Sequence, residues 1–251
     1  MRGATTVVPL PSSRRPAAHG AGMTHRGCLR TTNEDAILID PTGRLWAVAD
    51  GMGGYGNGGL ASGIVIDSLE IIQDDEDADT ALRFRLEEAN DVIRARAESD
   101  GLGPMGATVV ALIIADGTAH VAWAGDSRLY LARDGSLKLI TRDHSVVQDL
   151  VERGEIGADM AEHHPESHIV TRAVGGAEVL EVDEVQVQLS EGDRLLLCSD
   201  GLPRCLDDGA IADVLGAEHS PEAASAKLVR AALDLGAPDN VSVIVIDVRK
   251  V

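Results

Sequence analysis

Four short segments carry an aspartate whose carboxylate could do chemistry: Val48-Ala49-Asp50-Gly51-Met52-Gly53-Gly54, Ala124-Gly125-Asp126-Ser127-Arg128, Cys198-Ser199-Asp200-Gly201-Leu202 and Pro238-Asp239-Asn240. Three of the four set an apolar run against the aspartate. A strand that ends on a carboxylate and turns on a glycine delivers an oxygen ligand at a sheet edge, where the backbone can approach a bound group closely. Several such ends can converge on one hard cation. Oxygen-only donors favour Mg²⁺ or Mn²⁺ and disfavour zinc, which prefers sulfur and imidazole.

The elements that must hold these residues can be read from hydrophobic period. A strand is predicted over 45–49, and the Gly-rich turn behind it leads into a helix over 60–72. A second helix over 78–98 lines Leu82, Leu86, Ala89, Ile93 and Ala97 along one face. The period then shortens. Strands are predicted over 108–114, 119–124 and 129–132, with Asp116-Gly117 and Asp134-Gly135 as hairpin turns between strands. Residues 142–164 are polar and helical only in pieces, 185–189 alternate, and Arg194–Cys198 reads as a buried strand. Ser220-Pro221 opens a helix with an N-cap and a first-position proline, Gly236 and Pro238 close it, and Val241–Val248 is a last strand. Hairpin-joined strands with helices in two separate regions predict an α+β fold of stacked antiparallel sheets flanked by helices, not a doubly wound parallel sheet.

Composition narrows the functional classes. Only five of the 251 residues are aromatic, so the core is built from Val, Leu, Ile and Ala. No internal repeat is visible. Residues 1–20, rich in Pro, Ala, Ser, Gly and Arg, read as a flexible basic extension, and 21–251 as a single domain. The chain carries a net charge of −19, yet its first 33 residues hold Arg2, Arg14, Arg15, Arg26 and Arg30 and no carboxylate. An acidic body of this kind disfavours nucleic acid, which needs clustered Lys and Arg, and favours a monomer. Three cysteines without CxxC spacing (Cys28, Cys198, Cys205) argue against a disulfide framework and against zinc. No apolar run nears the roughly 20 residues of a membrane span, and the start lacks the apolar core of a secretory signal, so the expected location is cytoplasmic. A phosphorylated substrate would need local positive charge, which divalent cations and a placed arginine can supply.

Further blocks fall between and around the aspartates: Arg30-Thr31-Thr32-Asn33-Glu34-Asp35, Met105-Gly106-Ala107-Thr108, Thr141-Arg142-Asp143-His144-Ser145 and Ile169-Val170-Thr171-Arg172-Ala173-Val174-Gly175. Taken in order with DGMGG at 50–54, WAGDSRLY at 123–130, CSDGL at 198–202 and PDNVSV at 238–243, the set resembles the protein phosphatase 2C family, in particular its compact bacterial members. The resemblance runs over about residues 22–248. It implies a four-layer α-β-β-α sandwich with two Mn²⁺ or Mg²⁺ ions in a cleft at one end of the sheets. By that resemblance Asp50 bridges both ions, the Gly51 carbonyl ligates one, Asp200 and Asp239 hold the other, and Glu34 and Asp35 contact metal-bound waters. It implies hydrolysis of phosphoserine or phosphothreonine by a water that two cations deprotonate and that attacks phosphorus in line. Arg30 corresponds to the family's phosphate-binding arginine, whose planar fork grips two phosphoryl oxygens.

Two departures from the pattern matter. Some members bind a third metal with the aspartate of the GDSR block and an aspartate four residues after that of CSDGL; this chain keeps Asp126 but has Arg204 at the second position. A guanidinium there repels a dication and is expected to pair with Asp126 in its stead, leaving the third site absent or weak. Tyr55 and Gly59 stand where many bacterial relatives have His and Glu, and Met52 cannot donate a proton to a leaving group. Residues 146–168 correspond to the family's variable flap beside the cleft. The expected function is a protein serine/threonine phosphatase opposing a bacterial Ser/Thr kinase. Its rivals are a partner-switching phosphatase acting on an anti-sigma-factor antagonist and a catalytically weak phosphoprotein-binding module of the same fold.

Overall fold

The computed structural model describes residues 18–161 and 164–249. Within them ten strands form two five-stranded sheets in which every neighbouring pair is antiparallel. One sheet has the order β1 (Ala18–His25), β10 (Val241–Val248), β9 (Arg194–Cys198), β6 (Arg128–Arg133), β7 (Ser136–Leu139). The other runs β2 (Asp35–Ile39), β3 (Leu45–Gly53), β4 (Met105–Ala115), β5 (Thr118–Ala124), β8 (Asp183–Gln188). Helices α1 (Gly58–Glu70) and α2 (Ala78–Ser99) cover the second sheet, and α5 (Asp208–Ala217) and α6 (Pro221–Asp234) cover the first. Two short helices, α3 (Val146–Glu152) and α4 (Ala158–Ala161), lie in the polar segment between β7 and β8.

Three apolar layers separate four layers of structure, and strand alternation explains them. In β4, Val109, Ala111 and Ile113 face α1 and α2, while Val110, Leu112 and Ile114 face the opposite sheet. In β9, Leu195 and Leu197 enter the layer between the sheets, while Leu196 and Cys198 pack under α5 and α6. This is the expected α-β-β-α sandwich.

Both predicted hairpin turns are present. Asp116 and Gly117 adopt φ of 47° and 74°, and Asp134 and Gly135 adopt 51° and 76°, the double left-handed turn that matches strand twist. Ser220 caps α6 through its Oγ, with Pro221 at the first helical position. Strands β1, β2 and β7 and helix α5 were not anticipated. β1 begins at Ala18, so the last three residues of the segment expected to be a flexible extension pair with β10; its other 17 residues lie outside the described ones. The Ala-Gly-rich β1 has no alternating large side chains to signal a strand. Gly20 nevertheless suits its place, because a Cβ there would stand 2.3 Å from Nε1 of the buried Trp46.

Candidate metal centre

Strand polarity gathers the chemistry at one end of the sandwich. β3 and β5 run the same way, β3 carrying Asp50 near its end at Gly53 and β5 ending just before Asp126, while β2 starts with Asp35 opposite Asp50. In the other sheet β9 runs out toward Asp200 next to the start of β10, which follows Asp239 and Asn240. Alternation then sets direction. Trp46 and Val48 point between the sheets, so Asp50 does too, as Asp35 does from the parity of Ile37 and Ile39. Ser199 and Ser242 share parity with Leu197 and Ile244 and meet them from the opposite sheet.

Asp35 is only 9% exposed; its Oδ2 accepts hydrogen bonds from Ser199 Oγ at 2.9 Å and Ser242 Oγ at 2.6 Å. Its Oδ1 is buried without a partner, as is Oδ1 of Asp200. Glu34 Oε1 accepts from the N–H of Gly59 at 3.3 Å, so this carboxylate caps α1, whose N-cap residue Asn57 turns its amide to Leu102 instead. Asn240 fastens the loop that carries Arg30 and Glu34. Its Nδ2 donates to Arg26 O and Thr32 O, each at 3.0 Å, and its Oδ1 accepts from Glu34 N at 2.8 Å.

Glycines let these segments touch. A Cβ on Gly51 would lie 2.1 Å from Gly58 O and 2.6 Å from Glu34 O, and one on Gly201 would lie 1.9 Å from Asn240 O. Only a missing side chain permits either approach.

A cleft of about 310 Å³ brings together Arg30, Glu34, Asp50, Gly51, Asp126, Asp200 and Asp239, and Arg204 with them. Asp35 is the one expected site residue not on its wall. The cleft's other edge is formed by His168 and Val170, where the polar segment returns to the body through the Ser145–Val170 bridge. Arg30 Nη2 lies 2.8 Å from Asp239 Oδ2. Arg204 does not pair with Asp126 as expected: its Nη2 lies 2.5 Å from Asp200 Oδ2 and its Nη1 3.5 Å from Asp239 Oδ2. The turn after β9 is the reason. Arg204 N donates to Asp200 O at 3.1 Å, which stacks the guanidinium over the aspartate one helical turn back.

The carboxylates are crowded beyond what the two arginines neutralise. Burial, followed by Asp35 and Asp200, holds the Asp50 carboxyl well above the usual range. Burial and then Asp200 push Asp126 to about 8, and burial raises Asp35 to about 6 against the pull of its two serine donors. Burial raises Asp200 as well, with Arg204 opposing. Dications would offset this repulsion, and the donors are all oxygen. Among the described residues no three of His, Cys, Asp and Glu converge closely enough to clasp one ion by themselves. The donors instead line a wall, which suits Mg²⁺ or Mn²⁺, ions that keep several waters and take few protein ligands. The unpartnered Oδ1 atoms of Asp200 and Asp35 fit such a hydrated ion, the first as a ligand and the second as an acceptor for its waters.

The model of the family described as protein phosphatase 2C matches residues 27–241. The chain belongs to that family. PstP of Mycobacterium tuberculosis, named a serine/threonine protein phosphatase, is 40% identical over 232 residues, covering 91% of this chain and 44% of PstP. This phosphatase 2C chain thus spans a little under half the length of that relative. The catalytic domain of PstP, solved in complex with two manganese ions, superposes with a TM-score of 0.85 at 37% identity over 93% of this chain and 99% of that one. PppA of Pseudomonas aeruginosa, described as a key regulatory component of T6SS, gives a TM-score of 0.84 at 41% identity over 92% of this chain and 97% of its own.

Asn240, Ser199 and Ser242 are functional-site residues that motif reading left without roles. Alternation carries a usable signal for the serines: counting back from Ile244 and on from Leu197 turns both inward. Asn240 has no such signal, because its partners Arg26, Thr32 and Glu34 lie more than 200 residues away along the chain.

Proposed function

We propose that this domain is a metal-dependent protein serine/threonine phosphatase using two Mn²⁺ or Mg²⁺ ions. Asp50 and the Gly51 carbonyl would hold ions together with Asp200 and Asp239. When bound, the ions acidify water and neutralise phosphoryl oxygens. The remaining work falls to the chain's own groups. Arg30, more than half exposed at the cleft mouth, has the reach and the planar fork to bind two phosphoryl oxygens and orient the ester. Asp35, fixed by Ser199 and Ser242 behind the cleft wall, offers its unpartnered Oδ1 as an acceptor that can orient a water, and Glu34 lines the cleft itself. Asp126 stays a wall residue in this reading, and the positive charge of Arg204 in the same wall disfavours a third ion.

The observation that carries the proposal is the convergence of Asp50 in β3, Asp200 just after β9 and Asp239 just before β10 on one cleft with Arg30 at its mouth. That intact set speaks against a catalytically weak binding module. No described helix is long and apolar enough to cross a membrane. In this proposal the domain acts in the cytoplasm on phosphoproteins, as a monomer, opposing a Ser/Thr kinase. The test is hydrolysis of p-nitrophenyl phosphate with Mn²⁺, with EDTA, and by Asp50→Asn, followed by treatment of an autophosphorylated Ser/Thr kinase. Turnover should require both Mn²⁺ and Asp50, and the kinase should lose its phosphate. Metal-independent turnover equal in wild type and Asp50→Asn would defeat the proposal.

A further inference from the structure

Arg204 stands on the partition between the metal cleft and a second cavity of about 240 Å³, whose walls include Arg128, Val147, Gln148 and Ser167. Asp126 and Asp200 line both spaces. The side chain is 35% exposed and its guanidinium lies 2.5 Å from Asp200 Oδ2 and 3.5 Å from Asp239 Oδ2, so one side chain joins the two carboxylates to which the phosphatase reading assigns a single ion. Arg128, the other arginine lining the second cavity, is already spent: its Nε and Nη2 grip Asp143, and its Nη1 donates to Tyr130 Oη.

We infer that Arg204 is a resident cation of the metal centre that competes with the divalent ions for Asp200 and Asp239. The inference rests on the phosphatase reading and deepens it. The Asp200 oxygen 2.5 Å from the guanidinium is in a close ion pair, and an arriving dication must take that oxygen from it or share it. The fixed positive charge also repels the ion directly, and only partial solvent screening softens this. Metal affinity is therefore lower than the aspartates alone would give. Before loading, the same contact holds Asp200 and Asp239 together against their mutual repulsion. Once displaced, the guanidinium faces Asp126 across the partition and disfavours a further cation there.

The test is Mn²⁺ binding to the metal-stripped full chain, followed through the free-ion electron paramagnetic resonance signal, for wild type, Arg204→Gln, Asp200→Asn and Arg96→Gln. Arg96 lies on α2, is 58% exposed and pairs with Asp100, so its variant controls for loss of one positive charge. Arg204→Gln is expected to bind at least one ion about tenfold tighter than wild type, with Arg96→Gln unchanged. Thermal melting gives a second readout. Metal-free Arg204→Gln should melt below metal-free wild type and gain more from Mn²⁺. Equal affinity in Arg204→Gln and wild type would overturn the inference while leaving the phosphatase reading standing. Wild type that binds no Mn²⁺, or binds it no better than Asp200→Asn, would overturn both.

Discussion

The side-chain carbonyl of Asn240 accepts a hydrogen bond from the backbone N–H of Glu34 at 2.8 Å, tying the start of the last strand to the loop that carries Arg30. Two further bonds from its amide to Arg26 O and Thr32 O complete the clamp, and the residue is only 6% exposed. Asn240→Ala removes all three bonds and leaves part-buried backbone groups without partners, at a cost of about 2–4 kcal/mol in stability. Because the loop carries Arg30, the proposed phosphate ligand, KM for a phosphopeptide should rise by about tenfold or more. Chemical denaturation and steady-state kinetics on the same preparation check both. An Asn240→Ala enzyme of wild-type stability and KM would show that the clamp is idle.

Gly201 and Gly117 separate two reasons for a glycine. A Cβ on Gly201 would meet Asn240 O at 1.9 Å, whereas nothing lies within 4 Å of one on Gly117, whose φ is +74°. Gly201→Ala should cost about 4 kcal/mol or fail to fold, since backbone itself must move. Gly117→Ala meets only left-handed backbone strain and should cost about 1–2 kcal/mol. Equal costs in urea unfolding would contradict the close approach at the metal centre.

Ser242 supports Asp35 from the opposite sheet. Ser242→Ala deletes the 2.6 Å bond to Asp35 Oδ2, as well as the contact with Thr24 Oγ1. Loss of a donor to a buried carboxylate should lower stability by about 1–3 kcal/mol, and Ser199→Ala, which deletes the 2.9 Å bond, should act in the same direction. Thermal unfolding of each variant is the check. A wild-type melting temperature in both would remove the serines from the account.

How much of this was legible in the sequence depended on whether the signal was local. Asp116-Gly117 and Asp134-Gly135 announced their hairpins because the left-handed geometry is a property of those two residues alone. Asp50, Asp126 and Asp200 were legible as strand ends, since the apolar runs before them are contiguous. β2 was missed although it carries Asp35, for only five residues of modest alternation mark it. Arg204 was placed against the wrong partner. The pattern of relatives pointed to Asp126, whereas the simpler local fact, that residues four apart in a turn meet, pointed to Asp200. Asn240 and the serine pair act across the two sheets, and no local spacing encodes that.

His144 gives the protein a dependence on acid that can be signed. Its buried ring stacks on Trp123, its Nδ1 accepts from Gly125 N–H at 3.1 Å, and its Nε2 lies 3.2 Å from Asp183 Oδ2. Those contacts place the one proton of the neutral ring on Nε2. Burial lowers its pKa first, Asp183 opposes that, and Arg172 adds to it. The unfolded chain takes up a proton near the usual value of about 6.5 while the folded one resists, so stability falls as pH drops below about 6.5 and levels off under the folded pKa. Urea unfolding between about pH 7.5 and 5.5 should show a larger loss for wild type than for His144→Asn. Equal losses would mean that His144 titrates alike in both states.

The central claim is that Asp50, Asp200 and Asp239 make a metal centre for phosphoester hydrolysis. Phosphate release from a phosphothreonine peptide at saturating Mn²⁺ tests it most directly, in wild type and in Asp239→Asn. The account predicts rapid release by wild type, abolished by EDTA and restored by Mn²⁺, and a loss of about a hundredfold or more in Asp239→Asn. Release that survives EDTA, or that Asp239→Asn retains at the wild-type rate with Mn²⁺ present, would contradict it.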